Sequence, residues 1–241
     1  MSKIQNFKAI SFDCYGTLID WETGILAVLR PWIKSQGKNI DDDKILEAYG
    51  HFESEEQAEV QSAPYPEILE GVHIALAREF KIKSSKQWRE EFMACVGKWN
   101  AFDDTIAALK SLQKNYKLII LSNVDNASFA ETNKRLNITF DAVYTAEDIC
   151  TYKPQKNNFR YLLKHAKDDL GLDKKDILHT AQSLFHDHAT AQAMGMKTCW
   201  IDRRGEGTSD ATGGATPALG KPIKPHWTFP NMANFAEAMD K

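Results

Sequence analysis

The chain has 241 residues, of which 43% are hydrophobic and 26% charged, and its formal net charge at pH 7 is -3. This length fits one large domain or a core domain with an insert, and the composition is typical of a folded globular protein. The slightly acidic balance gives no general attraction to nucleic acid or to an anionic membrane, so an anion site has to be built locally.

The cysteines and the apolar runs indicate the cellular setting. The four cysteines are far apart and form no CxxC pair, which argues against a zinc site and against a disulfide framework. No apolar run approaches the roughly 20 residues that a membrane span needs. The segment MSKIQNFKAI has no apolar stretch of the kind a secretory signal carries. We expect a cytoplasmic protein with no nucleic-acid and no membrane partner.

Short apolar runs that end in polar residues predict buried strands. They lie at 9–13, 117–123, 176–182 and 197–202, with a weaker one at 141–148. Helical periodicity predicts helices at 103–115, 126–136, 157–172, where Gly171 is the expected stop, and 231–240. The alternation of strands and helices predicts an α/β fold with a doubly wound parallel sheet.

The first two strong strands are separated by about a hundred residues, far more than one crossover helix needs. This segment predicts four helices, at 22–36, 41–60, 65–82 and 84–98. We therefore expect a core domain formed by 1–19 and 99–241 and an inserted helical cap domain at 20–98. The glycine-rich stretch 204–222 predicts a mobile loop.

Polar side chains follow the predicted strands, and ligands of open parallel sheets bind outside the carboxyl ends of the strands. Asp13 follows the first strand, and its carboxylate is a candidate nucleophile. Gly16 permits a sharp backbone bend, and the Thr17 hydroxyl is positioned to hold a carboxylate oxygen. Lys153 offers a positive charge that keeps Asp13 ionised, and Asp187 is expected to orient water or hold a cation.

Four segments, FDCYGTL, LIILSN, YKP and SLFHD, resemble in this order the motifs of the haloacid dehalogenase superfamily. The resemblance implies a Rossmann-like core, a helical cap inserted after the first strand, and Asp13 as the nucleophile. Phosphatases of that superfamily carry a second Asp two positions after the nucleophile, where this chain has Tyr15. A phenol is a poor proton shuttle. With the TCWIDR segment, this feature resembles the 2-haloacid dehalogenase branch.

That branch implies displacement of halide by Asp13, an aspartyl-ester intermediate and its hydrolysis, without a metal or another cofactor. The resemblance implies catalytic roles for Asp13, Thr17, Lys153 and Asp187. It implies substrate contacts from the other motif side chains, which are Cys14, Tyr15, Ser122, Asn123, Phe159 and Ser183. The expected partner is a small anionic organic substrate, and a homodimer is left open.

Three departures from the branch concern substrate binding. An Arg that the branch places over the substrate aligns with Gly50, and the neighbouring His51 is a candidate to supply the missing charge. Arg30 is the nearest alternative for the missing Arg, but its register in the alignment is wrong. Phe159 stands where a Tyr is usual, and the segment before Asp187 does not align cleanly with the fourth motif.

Two alternatives stay open from the sequence. One is a Mg²⁺-dependent phosphatase acting on a small phosphorylated metabolite, with Asp13, the Tyr15 carbonyl and Asp187 as metal ligands. The other is a homologue that keeps the fold only for binding. The presence of both Asp13 and Lys153 argues against the second alternative.

Overall fold

The structure, a computed structural model, describes residues 3–205, 214–216 and 223–240. Six strands form one parallel sheet in the order β3-β2-β1-β4-β5-β6. They are β1 (Ala9–Phe12), β2 (Lys117–Ser122), β3 (Ala142–Thr145), β4 (Ile177–Ala181), β5 (Lys197–Ile201) and β6 (Trp227–Phe229). The predicted doubly wound α/β fold is confirmed.

Strand β1 is central, with β2 on one side and β4 on the other. In register, Phe12 is opposite Ile120 of β2 and Thr180 of β4. All four residues of β1 are buried, because helices cover both faces of the sheet. The residues that follow these three strands therefore meet at one edge of the sheet.

Four helices follow β1 before the isolated bridge at Ala101, and we call these four, α1–α4, the cap helices. They are α1 (Trp21–Ser35), α2 (Asp42–Glu59), α3 (Tyr65–Phe80) and α4 (Lys86–Met93). Large side chains from all four are buried, among them Trp32, Tyr49, Tyr65 and Phe92. The boundaries 19/20 and 98/99 stay a prediction.

The other helices belong to the sheet region. They are α5 (Thr105–Leu112), α6 (Asn126–Leu136), α7 (Ala146–Ile149), α8 (Lys156–Leu170), α9 (Ala189–Ala193) and α10 (Met232–Met239). Gly171 ends α8 in the left-handed conformation at φ 69°, as the sequence predicts. No helix in the described part of the chain is long and apolar enough to cross a membrane.

Three element predictions need correction. The last cap helix ends at Met93 rather than residue 98, since the chain turns there toward an isolated bridge between Ile19 and Ala101. The strand predicted at 141–148 ends at Thr145, whose hydroxyl and Asp148 form a capping box that starts α7. The three-residue strand β6 was not predicted, because it is too short to show alternation. Most of the predicted loop, 206–213 and 217–222, lies outside the described residues.

Candidate functional site

Asp13 is the first residue after the central strand β1, and the turn behind it depends on glycine. Gly16 has φ +89°, and its N–H donates to the carbonyl of Ile19 at 2.8 Å. A Cβ at Gly16 would lie 3.0 Å from Nε1 of Trp21. The turn brings the Thr17 hydroxyl to 2.9 Å from Oδ2 of Asp13, to which it donates. The backbone bend therefore fixes the carboxylate, as the sequence predicts.

Lys153 joins the two buried carboxylates of the site. Its Nζ donates to Oδ1 of Asp13 at 2.8 Å, to Oδ1 of Asp187 at 2.7 Å and to the carbonyl of Leu121 at 3.0 Å. The side chains of Lys153 and Asp187 are 1% and 0% exposed, and that of Asp13 is 9% exposed. All three ammonium hydrogens have acceptors, so the lysine is fixed in one orientation.

A histidine that the sequence analysis missed orients Asp187. His179 of β4 lies with Nε2 at 2.9 Å from Oδ1 of Asp187 and with Nδ1 at 2.9 Å from the hydroxyl of Ser11. Because an ionised carboxylate only accepts hydrogen bonds, Nε2 carries a proton. Oδ2 of Asp187 has no partner among the described residues. Asp187 therefore keeps one free acceptor atom.

The turn between β4 and α9 is a single π-helical turn, Leu184–His188. Single π turns are frequent at functional sites because they re-aim side chains. The hydroxyl of Ser183 accepts from the N–H of His186 and lies 3.1 Å from its Nδ1. Nε2 of His186 has no partner among the described residues. Together these contacts place Ser183, His186 and Asp187 on one cavity wall.

Asn123 connects three parts of the site. Its Oδ1 accepts from the N–H of Lys153 at 2.7 Å, and its Nδ2 donates to the carbonyl of Lys153 at 3.0 Å. The same Nδ2 lies 3.1 Å from Oε1 of Gln57 on α2. Asn123 thus holds the turn that carries Lys153 and ties that turn to a cap helix.

Burial and charge act together on the ionisable groups. Burial, reinforced by Asp187, raises the pKa of Asp13 above its ordinary value although Lys153 opposes the rise. Burial also disfavours ionised Asp187, but Lys153 and His179 outweigh it and hold the pKa of Asp187 below its usual range. The two carboxylates outweigh the burial of Lys153 and raise its pKa. Lys153 and Asp187 are therefore charged, and Asp13 is the carboxylate that binds a proton more readily.

A small cavity of about 30 Å³ lies above Asp13, room for one or two water molecules. The cap helices contribute Trp21, Glu53, Gln57 and Tyr65 to its lining. The other lining residues are Asp13, Tyr15, Asn123, Lys153, Ser183, His186, Asp187 and Thr216. These cap residues were not predicted, because helical spacing alone does not tell which face of α2 meets the sheet. Glu53 shares the helix face of Ile45, Leu46 and Tyr49, and an acid on that otherwise apolar face is a signal the sequence does contain.

Several predicted substrate contacts lie elsewhere. The side chains of Cys14 and Phe159 are fully buried in the packed core outside the cavity. The ring of Phe159 packs edge-on against that of His179, with 5.1 Å between the ring centroids. Ser122 is also buried outside the cavity lining, with its hydroxyl unpartnered among the described residues. Tyr15 does line the cavity, and its hydroxyl lies 2.9 Å from that of Thr132.

The expected replacement for the missing Arg is also corrected. His51 is exposed and lies 3.4 Å from Glu55 on the surface. Gly50 is covered by the backbone, since a Cβ there would be 2.2 Å from the carbonyl oxygen of Ala215. Arg30 is exposed and pairs with Asp42. None of these three positions supplies a positive charge to the cavity.

The phosphatase alternative takes Asp13, the Tyr15 carbonyl and Asp187 as its metal ligands. In the part of the chain that the structure describes, no group of three or more His, Cys, Asp or Glu side chains is arranged to hold a metal ion. The ammonium of Lys153 lies within 2.8 Å of oxygens of both Asp13 and Asp187. The alternative draws on only two carboxylates and one main-chain carbonyl, so it stays a proposal that activity with and without Mg²⁺ decides.

Comparison with known proteins agrees with the fold. The chain is 22% identical over 215 residues to an (S)-2-haloacid dehalogenase of Pseudomonas putida, covering 83% of this chain and 87% of that protein. The structure of the L-2-haloacid dehalogenase from Xanthobacter autotrophicus with chloropropionic acid covalently bound has a TM-score of 0.76 at 16% identity, covering 97% of this chain and 98% of that one. A putative hydrolase of Bacillus subtilis bound to magnesium has a TM-score of 0.74 at 16% identity, over 98% of this chain and 100% of that one. At such identities these structures establish the fold alone.

The family model of the haloacid dehalogenase-like hydrolases matches residues 10–201, which spans β1 to β5 and every residue placed at the site above except Thr216. The match agrees with the resemblance found in the four motif segments. The chain therefore belongs to the haloacid dehalogenase-like hydrolase family.

Proposed function

We propose that the protein is a hydrolase of the 2-haloacid dehalogenase type, which uses Asp13 to displace halide from a small 2-haloalkanoic acid. The observation that carries the proposal is the fixed, buried carboxylate of Asp13, held by Thr17 and Lys153 beside a second carboxylate, Asp187. A carboxylate so fixed attacks carbon with little loss of orientational entropy.

In the first step, an oxygen of Asp13 forms a bond to the carbon next to the substrate carboxylate. The carbon–halogen bond breaks, and its electron pair leaves with the halide. The carbon is inverted and an aspartyl ester forms. Halide departs as a stable anion and needs no proton. This agrees with Tyr15, whose buried phenol has its pKa raised well above the ordinary value and stays protonated.

In the second step, water attacks the side-chain carbonyl carbon of Asp13. Asp187 is suited to take a proton from that water, because its Oδ2 has no partner among the described residues and it lines the cavity. One proton of the water ends on the product hydroxyl and the other is released. The Asp13 carboxylate is restored with one oxygen from water. Lys153 stabilises the negative charge that develops at Asp13 in this step.

The relatives support this chemistry. The Pseudomonas putida relative is an (S)-2-haloacid dehalogenase, and the Xanthobacter autotrophicus structure carries chloropropionic acid covalently bound. Neither the attack nor the hydrolysis requires a metal ion, so we propose that no cofactor takes part.

The test is chloride release from (S)-2-chloropropanoate in the presence of EDTA. The expected result is turnover that Asp13→Asn abolishes and that Asp103→Asn, a change of an exposed aspartate, leaves intact. Chloride release that survives Asp13→Asn contradicts the proposed nucleophile. Cleavage of p-nitrophenyl phosphate that depends on Mg²⁺, without chloride release, would establish the phosphatase alternative instead.

A further inference from the structure

A buried acid in the wall of the cavity has no role in the chemistry above. Glu53 of α2 is only 3% exposed and lines the same cavity as Asp13 and Lys153. It stands on the cap side, so it faces the substrate rather than the sheet. A carboxylate in this position is costly to bury unless something compensates its charge.

Two phenols hold one oxygen of this carboxylate. The hydroxyl of Tyr49 donates to Oε1 of Glu53 at 3.1 Å, and the hydroxyl of Tyr65 donates to the same oxygen. The two hydroxyls are themselves 2.8 Å apart. Phenol O–H donors favour the ionised form of a carboxylate. The two phenols therefore stabilise the ionised carboxylate of Glu53.

No positive side chain compensates that charge. Among the described residues, no Lys, Arg or His forms an ion pair with Glu53, and the charged group that acts on it is Asp13, which has the same sign. Burial raises the pKa of Glu53 to about 7. The hydrogen bonds from the two tyrosines oppose this rise, and the negative charge of Asp13 adds to it. The ammonium of Lys153 donates to Asp13, Asp187 and the carbonyl of Leu121, so none of its three N–H bonds is directed to Glu53.

The rest of the wall suits a cation. Trp21 and Tyr65 from the cap helices and Tyr15 from the turn after β1 line the cavity with aromatic side chains. Aromatic faces attract ammonium groups. The positions expected to bring an Arg over the substrate do not, because Gly50 is covered by Ala215, and Arg30 and His51 are on the surface. Among the described residues, the cap side of the cavity therefore presents a carboxylate and no cationic side chain.

We propose that Glu53 binds a protonated amino group of the substrate, so that the preferred substrate carries an ammonium group close to the carbon that Asp13 attacks. This proposal rests on the proposed function for the identity of that carbon. The substrate class is a small zwitterion rather than a simple 2-haloalkanoate. Its ammonium supplies the positive charge that Glu53 lacks within the chain, and neutralises the carboxylate without an arginine.

The first test is a binding comparison that needs no turnover. β-Alanine and butanoate have the same length and the same carboxylate, and differ by an ammonium group in place of a methyl group. We expect calorimetry at pH 8, where Glu53 is mostly ionised, to show β-alanine binding at least about tenfold more tightly than butanoate. Equal binding, tighter binding of butanoate, or no binding of β-alanine overturns the proposal.

The variant Glu53→Gln keeps the shape of the side chain and removes its charge, so we expect it to erase the preference. Glu55→Gln, on the exposed face of the same helix, is the matched control and should keep it. A preference that survives Glu53→Gln contradicts the assignment. If Glu53→Gln does not fold, the wild-type protein still decides, because its ratio of β-alanine to butanoate affinity must fall when the pH is lowered from 8 to 6. The ionisable groups facing Glu53 are Asp13, Tyr49, Tyr65 and Tyr152. Burial moves the pKa of each tyrosine further above this range and raises the pKa of Asp13 as well, whereas the pKa of Glu53 is about 7.

A turnover comparison separates this proposal from the dehalogenase chemistry. The substrates are 3-amino-2-chloropropanoate and 2-chlorobutanoate, which again differ by ammonium for methyl, with Asp13→Asn as the blank for spontaneous chloride loss. Preference for the amino substrate, lost in Glu53→Gln, supports both proposals. A β-alanine preference without any chloride release supports the ammonium site and refutes the dehalogenase assignment. Faster turnover of 2-chlorobutanoate refutes the ammonium site alone.

Discussion

Replacing Lys153 by methionine removes the one ammonium that joins the two carboxylates of the site. In the folded protein its Nζ is 2.8 Å from Asp13 and 2.7 Å from Asp187, with the lysine side chain 1% exposed. Methionine has a similar length and no charge, so it fills the space without replacing the hydrogen bonds. Two carboxylates are then left buried side by side without a cation.

Removing one partner of a buried ion pair costs about 3–5 kcal/mol. We therefore expect Lys153→Met to lose about that much unfolding free energy at pH 7.5. The loss should shrink as the pH falls. Without the lysine, burial and Asp187 raise the pKa of Asp13 still further above its value in the unfolded chain, and a group with a raised pKa adds stability as the pH falls through that pKa.

The assay is urea denaturation of the variant and the wild type at pH 7.5 and pH 5, together with chloride release. Lys156→Met is the matched control, since Lys156 is exposed at the start of α8 and should change stability by less than about 0.5 kcal/mol. Turnover of Lys153→Met should fall by at least about 10²-fold, because a protonated Asp13 does not attack. Equal stability of the two variants at pH 7.5, or unchanged turnover, would refute the bridging role of Lys153.

Three further predictions concern single side chains. Thr17→Val removes the donor 2.9 Å from the nucleophile's Oδ2 and should lower kcat by about 10–100-fold, measured by steady-state chloride release; an unchanged kcat contradicts that role. Gly50→Ala should cost about 1–3 kcal/mol in thermal unfolding, because its Cβ meets the carbonyl oxygen of Ala215, while Gly71→Ala meets only a flexible side chain and should cost less; the reverse order contradicts the packing. Burial lowers the pKa of His186 to about 4, so the unfolded chain binds a proton between pH 6.5 and 4 that the folded chain does not, and stability is lost as the pH falls. His186→Gln should reduce that slope by up to about 1.4 kcal/mol per pH unit in denaturation at stepped pH, and an identical slope would count against it.

The sheet was predictable because its strands are buried on both faces. Runs such as AISF and KLIILS are continuous, short and followed by polar residues, so both their hydrophobic pattern and their length indicate buried strands. The edge strand β6 was not predictable, because it has only three residues and none of them is buried. The end of the strand β3 depended on the Thr145–Asp148 capping box, which is a side-chain contact rather than a run of residue types.

The sheet side of the candidate site was predictable, and the cap side was not. Asp13, Lys153 and Asp187 each follow a strand or its connecting turn, so the topology of a parallel sheet brings them together. Glu53 reaches the cavity through the packing of α2, and its partners Tyr49 and Tyr65 come from two helices. Such contacts follow from how helices dock and leave only a weak trace in one sequence.

The same limit explains why Phe159 and His51 lie away from the cavity lining. Both were placed by alignment to motifs, which fixes position along the chain but not the direction of the side chain. In the structure Phe159 supports His179 from within the core, and His51 turns to the surface. One helical position separates an exposed side chain from a buried one.

The most direct test of the covalent route is a single turnover of (S)-2-chloropropanoate by excess enzyme in ¹⁸O-water, followed by mass spectrometry of the peptide that contains Asp13 and of the product. Water that attacks the aspartyl ester leaves its oxygen in Asp13, so the account predicts one ¹⁸O in that peptide and none in the product hydroxyl. Label in the product and none in Asp13 would show that water attacks the substrate directly, and would contradict the account.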